Sequence, residues 1–194
     1  VSPSFLKAQN LKIVTPHSDL ALSFQFLYEN WNGFNDFLND MNIKTRIEPC
    51  YLDLQDIGYF APELLTMKDR IRLSGEIEGT VNNFKARNLR FAFGQNSFFY
   101  GNVSAVGLPD VTHTYVNMNI KMLQTTKADI ESIRIPGDPG AITLPEILEK
   151  AGSVHLTGLF SGFYNDFVAR SLIHTDLGGI RSDLTLRKPK GKNP

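Results

Sequence analysis

A 28-residue stretch, PELLTMKDRIRLSGEIEGTVNNFKARNL, runs from Pro62 to Leu89 and returns as PEILEKAGSVHLTGLFSGFYNDFVARSL from Pro145 to Leu172. The second copy lies 83 positions after the first and has no gap relative to it. A repeat at a fixed spacing indicates a protein that uses one supersecondary unit more than once. Such units bury their apolar sides against their neighbours and usually present a long surface or groove.

The repeat alternates apolar and polar residues with the period of a β-strand. Ile71, Leu73, Gly75 and Ile77 share one parity in the first copy, and charged side chains occupy the other parity. The same pattern is found in the second copy, around Leu156, and outside the repeat around Leu20–Phe26, Val116–Met122 and Ile180–Leu186. Strands of this kind have one buried and one wet face, and short turns between them predict an antiparallel meander.

The glycines and arginines of the repeat are predicted to have structural roles. Gly79 and Gly162 are expected to end their strands, whereas glycine at positions such as Gly75 and Gly158 lets a strand bend or another backbone come close. The apolar parity changes just after Ala86 and again just after Ala169. A β-bulge near Arg87 and a second one near Arg170 would produce both changes.

Short helices are predicted between the strands, at Asn32–Asn39, Asp56–Thr66, Thr126–Ile133 and Leu144–Lys150. The predicted fold class is mainly β with short helices, a curled antiparallel sheet that forms a taco-like β-groove from two related units. Residues 1–187 form one β-rich body, with unit one at about 50–106 and unit two at about 126–187. Residues 188–194 have the composition of a flexible tail.

Composition argues against several classes of function. Lys plus Arg and Asp plus Glu both number 20, so the chain lacks the basic field that meets nucleic-acid phosphates. Cys50 is the single cysteine, which is too few for an internal disulfide or a cysteine-rich zinc site. No run of about 18 apolar residues predicts a membrane-spanning helix. A sequence that begins at Val1, with no signal peptide, suggests a piece of a longer protein.

No constellation of residues predicts catalysis. The four histidines do not have the spacing of a helical metal site, and no Ser-His-Asp signature such as G-x-S-x-G is present. Glu76 and Glu78 share a strand face, but the second copy has Leu159 and Ser161 there, so an acid–base pair is not what the repeat retains. We therefore expect no enzyme activity, no cofactor and no metal.

The stretch from Ile71 to Phe84, IRLSGEIEGTVNNF, followed by Leu89 and Phe91, resembles the repeated pattern of AsmA-like and TamB proteins: a strand, Leu-Ser-Gly, a three-residue spacer, Gly, a turn and Phe. The segments GLPD, from Gly107, and LPEIL, from Leu144, are similar to linkers of the Bacteroidetes branch of that family. The resemblance covers about residues 56–187.

The resemblance implies an envelope protein of a two-membrane bacterium, with a β-rich body in the periplasm and an inner-membrane anchor helix outside this fragment. It implies passage of phospholipid toward the outer membrane and a role in outer-membrane biogenesis. The expected partners are phospholipid or another lipid and an outer-membrane barrel assembly protein. The predicted lipid-facing groove consists of Leu22, Phe24, Ile71, Leu73, Ile77, Val116, Met118, Ile120, Val154, Leu156 and Phe160.

The sequence leaves other interpretations open. The apolar face could be an ordinary core under the short helices, since most apolar faces are covered. The chain could instead be a scaffold that assists outer-membrane protein assembly by pairing strands at a sheet edge. A sugar-binding sandwich or an enzyme would rest on aromatic content alone, and Trp31 is the single tryptophan.

Overall fold

The computed structural model describes residues 4–28, 35–57, 70–133 and 142–187. They form ten strands: β1 Ser4–Val14, β2 Asp19–Tyr28, β3 Asn42–Asp53, β4 Arg70–Gly79, β5 Asn83–Phe93, β6 Ser97–Val106, β7 Tyr115–Thr125, β8 Val154–Phe163, β9 Asp166–Thr175 and β10 Gly178–Leu186. Each strand pairs antiparallel with the next along the chain, in one sheet of order β1 to β10. β1 and β10 are not paired with each other, so the sheet is open. The predicted fold class, mainly β with a curled antiparallel sheet, is confirmed.

The described helices are all short. They are α1 Phe37–Asp40, α2 Leu54–Ile57, α3 Lys127–Ser132 and two 3₁₀ helices, Val111–His113 and Glu146–Ala151. The helix predicted at Thr126–Ile133 is confirmed as α3, with Thr126 as its N-cap. The short helix predicted at Leu144–Lys150 is found as a 3₁₀ helix, Glu146–Ala151. Of the helix predicted at Asn32–Asn39, residues 32–34 lie outside the described residues, and α1 covers its last three positions. Of the helix predicted at Asp56–Thr66, only the first two residues are described, and they end α2.

Both copies of the repeat form the same hairpin in the same sheet. The first copy folds as β4 and β5 and the second as β8 and β9. Their turns coincide, since Thr80 exchanges backbone hydrogen bonds with Asn83 and Phe163 pairs with Asp166. The two units are therefore segments of one continuous meander. The tail predicted at 188–194 lies outside the described residues.

Glycine is required where neighbouring strands come closest. A Cβ on Gly79 would lie 2.2 Å from the carbonyl oxygen of Asn83, and a Cβ on Gly162 would lie 2.4 Å from that of Asp166. Both glycines also have positive φ, +120° and +142°. Gly158 has an extended backbone, but its Cβ would still lie 2.1 Å from the carbonyl oxygen of Arg170. The repeat thus retains these glycines because the backbones approach closely.

A row of β-bulges crosses the first seven strands. The register shifts between Ala8 and Leu11 in β1, Ile47 and Cys50 in β3, Ala86 and Leu89 in β5, and Ile120 and Leu123 in β7. Each bulge adds a residue to one strand, which bends and twists that strand. Because the bulges fall near the middle of alternate strands, they bend the sheet along one line and contribute to its curl.

The bulge predicted near Arg87 is confirmed, whereas the one predicted near Arg170 was wrong. In β5 the extra residue is Asn88, with φ +51°, and its N–H donates to Asn102 Oδ1 at 3.0 Å. The second copy has Ser171 at this position, and the pairing of β8 with β9 runs without interruption. Asn adopts positive φ more readily than Ser because its side chain can hydrogen-bond locally. Without the bulge, Leu172 turns to the opposite side of the sheet from Leu89 and is 43% exposed.

Asn88 allows a direct test of this explanation. We expect Asn88→Val to lower the free energy of unfolding by about 1–2 kcal/mol, because a β-branched residue is strained at positive φ. Asn88→Gly should be nearly neutral, since glycine adopts this conformation freely. Urea denaturation followed by circular dichroism measures both. Equal losses for the two variants would show that the left-handed backbone is not what Asn88 supplies.

Two aspartates fasten short helices to hairpin turns at one end of the sheet. Asp56 of α2 accepts hydrogen bonds from the Thr15 and Ser18 hydroxyls in the β1–β2 turn, and these bonds, that from Ser18 first, lower the pKa of Asp56. Asp129 of α3 accepts from Gln95 N, Asn96 N and Ser97 Oγ around the β5–β6 turn, at 2.8–3.0 Å. α2 follows β3, one strand beyond the β1–β2 hairpin, and α3 follows β7, one strand beyond the β5–β6 hairpin. Each carboxylate therefore joins segments that are well separated in sequence.

Candidate functional site: the apolar face of the sheet

One side of the sheet, here called the apolar face, is defined by the cross-strand pairs, because directly paired residues point to the same side. In β1–β5 it comprises Ser4, Leu6, Ala8, Leu11, Ile13, Leu20, Leu22, Phe24, Phe26, Tyr28, Ile43, Thr45, Ile47, Cys50, Leu52, Ile71, Leu73, Gly75, Ile77, Gly79, Phe84, Ala86, Leu89, Phe91 and Phe93. In β6–β10 it comprises Ser97, Phe99, Gly101, Val103, Ala105, Val116, Met118, Ile120, Leu123, Thr125, Val154, Leu156, Gly158, Phe160, Gly162, Phe167, Ala169, Ser171, Ile173, Thr175, Gly178, Ile180, Ser182, Leu184 and Leu186.

All eleven residues predicted to line a groove lie on this face. The register links Leu22 and Phe24 in β2 to Phe160 in β8 through an unbroken series of paired neighbours. Ten of the eleven side chains are half-buried, and Ile120 is only 8% exposed. The face is therefore a continuous surface, most of whose interior side chains keep some accessible area.

The apolar face carries no Asp, Glu, Lys, Arg or His at any of these positions. Its polar side chains carry hydroxyl groups and belong to Ser4, Tyr28, Thr45, Ser97, Thr125, Ser171, Thr175 and Ser182. Two of these hydroxyls are already bonded to each other, since Ser97 Oγ lies 2.8 Å from Thr125 Oγ1. Thr45 donates to the carbonyl oxygen of Ser23 at 3.0 Å. Such a face offers a ligand apolar area and no charge.

Aromatic side chains are grouped at intervals along this face. The rings of Phe24 and Phe26 lie 4.4 Å apart in β2, and those of Phe160 and Phe167 lie 4.9 Å apart across β8 and β9. Between these groups, Phe91 stacks on Phe99 at 5.0 Å. Phenylalanine rings contribute much of the apolar area in a core or at an interface.

An apolar recess of about 240 Å³ lies on this face near the β4–β5 turn. It is lined by Ile43, Thr45, Ile77, Gly79, Thr80, Val81, Phe84 and Leu108. Pockets for drug-sized ligands usually have about 300–1,000 Å³. The recess is thus large enough for the end of an apolar chain rather than for a whole lipid.

Among the described residues, no second sheet and no long helix packs over the apolar face. Each strand packs mainly against its sequence neighbours, and the described helices have only three to six residues. At the margin, the ring of Phe37 in α1 meets Phe26 edge-on at 5.6 Å. None of the described helices has the length and apolar character that crossing a membrane requires.

The opposite side, here called the polar face, carries cross-strand ion pairs. Glu78 lies between Lys44 and Arg87, at 3.2 and 3.3 Å, and Glu76 accepts from Arg46 at 2.5 Å. The hydrogen bond and charge of Lys44, with a further contribution from Arg87, lower the pKa of Glu78. These groups are exposed, so each pair contributes little to stability. Glu76 and Glu78 act as surface charges that match the neighbouring strands.

The larger recesses, of about 320, 430 and 390 Å³, are found on the polar face. Their rims consist of long exposed side chains such as Lys44, Lys85 and Arg181, with polar residues between them. We regard them as gaps between surface side chains, because no buried polar group points into them. Tyr51 and Tyr100 are covered by cations, with Arg70 at 4.7 Å and Arg90 at 4.5 Å from the ring centres, so they offer no bare platform for a sugar.

The two arginines common to both repeats lie on the polar face. Arg87 bonds to Glu78 on β4, and Arg170 lies 3.2 Å from Asp183 on β10. The structure therefore places them in exposed strand-to-strand pairs rather than beside the apolar face. Of the predicted structural glycines, Gly75, Gly79, Gly158 and Gly162 all sit on the apolar face, where their missing side chains let backbones approach.

Sequence reasoning missed the contributions of β3 and β6. Ile43, Ile47, Phe99 and Val103 lie on the apolar face between the predicted strands. In β3 the bulge at residues 48–49 breaks the alternation. In β6 the alternation of Phe99, Gly101 and Val103 is weak because Phe98 and Tyr100, on the polar face, are also aromatic.

No group of three or more His, Cys, Asp or Glu side chains that could hold a metal occurs in the described part of the chain. Comparisons with protein-family models, with curated proteins and with solved structures find no match.

Proposed function

We propose that this chain is a periplasmic segment of an AsmA/TamB-like envelope protein, and that its apolar face holds the acyl chains of phospholipid on their way to the outer membrane. The observation that carries the proposal is the apolar face itself. It runs across all ten strands without a charged residue, and no second layer covers it among the described residues. An exposed apolar surface of this extent is a binding surface rather than an ordinary solvent-facing one.

The dimensions of the face suit a two-chain lipid. Nine steps of about 4.8 Å between ten strands make it about 43 Å wide, and strands of this length extend about 30–40 Å. Each methylene removed from water contributes about 0.8 kcal/mol. Acyl chains can therefore be held by apolar area alone, and their headgroups can stay in water. Such binding needs no headgroup pocket and allows a lipid to slide along the face.

A matched pair of leucines in β8 tests this proposal. Leu156 lies on the apolar face, and Leu159 lies on the polar face and is 54% exposed. We expect Leu156→Asp to reduce bound phospholipid at least about tenfold, since the change removes apolar contact and places a charge in the lipid's path. Leu159→Asp should leave binding unchanged. Mass spectrometry of organic extracts and uptake of a fluorescent phospholipid provide the measurement, with circular dichroism to confirm folding.

Two results would contradict the proposal. One is a wild-type protein that neither carries lipid nor takes up the fluorescent phospholipid. The other is a folded Leu156→Asp variant that binds as much lipid as Leu159→Asp. Leu73→Asp, on the apolar face of the first repeat, extends the test to β4 and should behave like Leu156→Asp.

The second candidate function is strand-edge pairing with an outer-membrane protein, and the free edge of β1 favours it. β1 pairs with β2 on one side, and no described strand pairs with its other side. A strand from a barrel protein or its assembly partner could extend the sheet there. A photo-crosslinking amino acid at Lys7 or Val14 would capture such a protein in cells, whereas one at Met118 on the apolar face would capture lipid.

A further inference from the structure

Among the described residues, no strand pairs with the outer edge of β10, and this strand has neither the proline nor the bulge that often protects a sheet edge. Natural edges are protected by proline, bulges or charges that point inward. β10 contains no proline, and it pairs with β9 over nine residues without a bulge. Its charged residues, Arg181 and Asp183, lie on the polar face. On the apolar face, Ile180 is 61% exposed, although its interior neighbours in the same sheet are half-buried.

The sequence of β10 is complementary to itself when the strand is reversed. From Gly178 it reads GGIRSDLTL, with Ser182 at the centre. In an antiparallel pair of two such strands centred on Ser182, Arg181 lies opposite Asp183 of the second copy. Ile180 lies opposite Leu184 in the same pairing, and Ser182 lies opposite itself. On the polar face each charged side chain therefore lies opposite one of opposite charge, and on the apolar face apolar side chains lie opposite each other.

We propose that β10 is a dimerisation edge, which pairs with β10 of a second copy about a two-fold axis through Ser182. A two-fold axis perpendicular to the sheet keeps both apolar faces on the same side and gives the antiparallel order of the rest of the sheet. The result is one sheet of twice the width with a continuous apolar face. Two-fold interfaces of this kind, in which the same patch meets itself, are the most frequent in soluble oligomers.

The charges of β10 fit this arrangement. Arg181 is exposed and forms no ion pair with any described residue. Asp183 already lies 3.2 Å from Arg170 on β9. In the dimer, Asp183 would lie between Arg170 of its own chain and Arg181 of the second copy. The pairing therefore gives Arg181 a carboxylate without removing the partner that Asp183 already has.

The other edge does not suit self-pairing. The charged residues of β1 are Lys7 and Lys12, so two copies would bring only positive charges together. β1 also contains a bulge, with Asn10 at φ +53°, which interrupts the run of pairing positions. The difference between the two edges assigns self-association to β10. The edge of β1 is better suited to pairing with a strand of another protein. This inference does not depend on lipid binding.

Charge reversal at the two paired positions gives a sharp test. The variant Asp183→Arg would bring two arginines face to face across the two-fold axis, and Arg181→Asp would bring two aspartates face to face. We expect wild type to sediment as a concentration-dependent dimer and each variant to sediment as a folded monomer. An equal mixture of the two variants should restore the dimer, because every facing pair is then of opposite charge. The double variant Arg181→Asp/Asp183→Arg should also dimerise.

The controls separate this edge from other modes of assembly. Lys12→Asp on β1 should leave the dimer intact. A wild type that stays monomeric at high micromolar concentration would overturn the proposal, as would a mixture of folded variants that fails to dimerise. Assembly beyond the dimer that is abolished by Lys12→Asp would also overturn it, because that result would indicate head-to-tail pairing of β10 with β1.

Discussion

Replacing Asp129 with alanine is expected to lower the free energy of unfolding by about 3–5 kcal/mol. Asp129 is 6% exposed, and its carboxylate accepts three hydrogen bonds, from Gln95 N, Asn96 N and Ser97 Oγ. A hydrogen bond to a charged group contributes about 1.5–3 kcal/mol, and the loss is not additive because water can enter the turn. For a chain of this size, the melting temperature should fall by about 10 °C, which calorimetry measures.

The effect of Asp129 should depend on pH in a defined direction. Burial alone would raise the pKa of Asp129, but its hydrogen bonds outweigh burial and lower the pKa. A carboxyl group whose pKa is lowered on folding stabilises the protein above its unfolded pKa, which is about 3.9. That contribution is lost as the pH falls through the folded pKa. The stability difference between wild type and Asp129→Asn should therefore be constant from pH 6 to pH 8 and shrink below about pH 4.

Asp56→Ala provides the comparison. Asp56 also joins a short helix to a hairpin turn, but it is more exposed than Asp129 and accepts from only two hydroxyls. We expect a smaller loss of stability there. Urea denaturation at pH 7 and pH 3 distinguishes the two sites. An Asp129→Ala variant as stable as wild type would show that α3 is not fastened to the β5–β6 turn.

The strand pattern could be predicted because the apolar face excludes charge. Wherever a strand keeps strict alternation, as around Leu73 in β4 or Met118 in β7, the sequence identifies both the strand and its inward side. Period-two alternation is a local signal, so it needs no knowledge of the neighbours. The repeat then predicted that two such hairpins belong to one sheet, and the pairing of β4–β5 and β8–β9 agrees.

The sequence could not predict where alternation is interrupted. The bulge in β5 depends on one residue, Asn88, and the corresponding Ser171 leaves β9 regular even though the flanking residues match. The bulge in β3, after Ile47, interrupts the apolar alternation, and for this reason the strand was not predicted. A single residue in the left-handed region shifts a register by one position, and that shift moves every following side chain to the other face.

The hydrogen bonds that join Asp56 and Asp129 to hairpin turns also could not be predicted from the sequence. Asp129 and the turn it binds are more than 30 residues apart, and nothing in the local pattern of either segment refers to the other. The sequence contains the aspartates and the turn residues, but only the order of the strands in the sheet brings them into contact. The same holds for β10, whose self-complementary charges become meaningful only once the strand is known to be an edge.

Gly79→Ala is expected to be among the most damaging single changes in the chain. Gly79 ends β4 with φ +120°, and a Cβ there would lie 2.2 Å from the Asn83 carbonyl oxygen and 2.9 Å from Phe84 Cα. These nearby atoms belong to the backbone of the adjoining strand, so the clash cannot be relieved by the rotation of a side chain. Strain at positive φ costs about 1–3 kcal/mol and overpacking costs about 1–3 kcal/mol, which together predict a loss of about 2–6 kcal/mol.

Two further glycines make this prediction specific. Gly162 occupies the same place in the second repeat, with φ +142° and a Cβ that would lie 2.4 Å from the Asp166 carbonyl oxygen, so Gly162→Ala should cost nearly as much. Gly179 in β10 is the control, since the nearest atom to its Cβ would belong to the His174 ring, at 3.1 Å. That ring is an exposed side chain on β9 and can rotate away. Chemical denaturation of all three variants should rank Gly79→Ala and Gly162→Ala well below Gly179→Ala. A similar stability for the three would mean that close backbone approach is not what keeps glycine at the ends of both repeated strands.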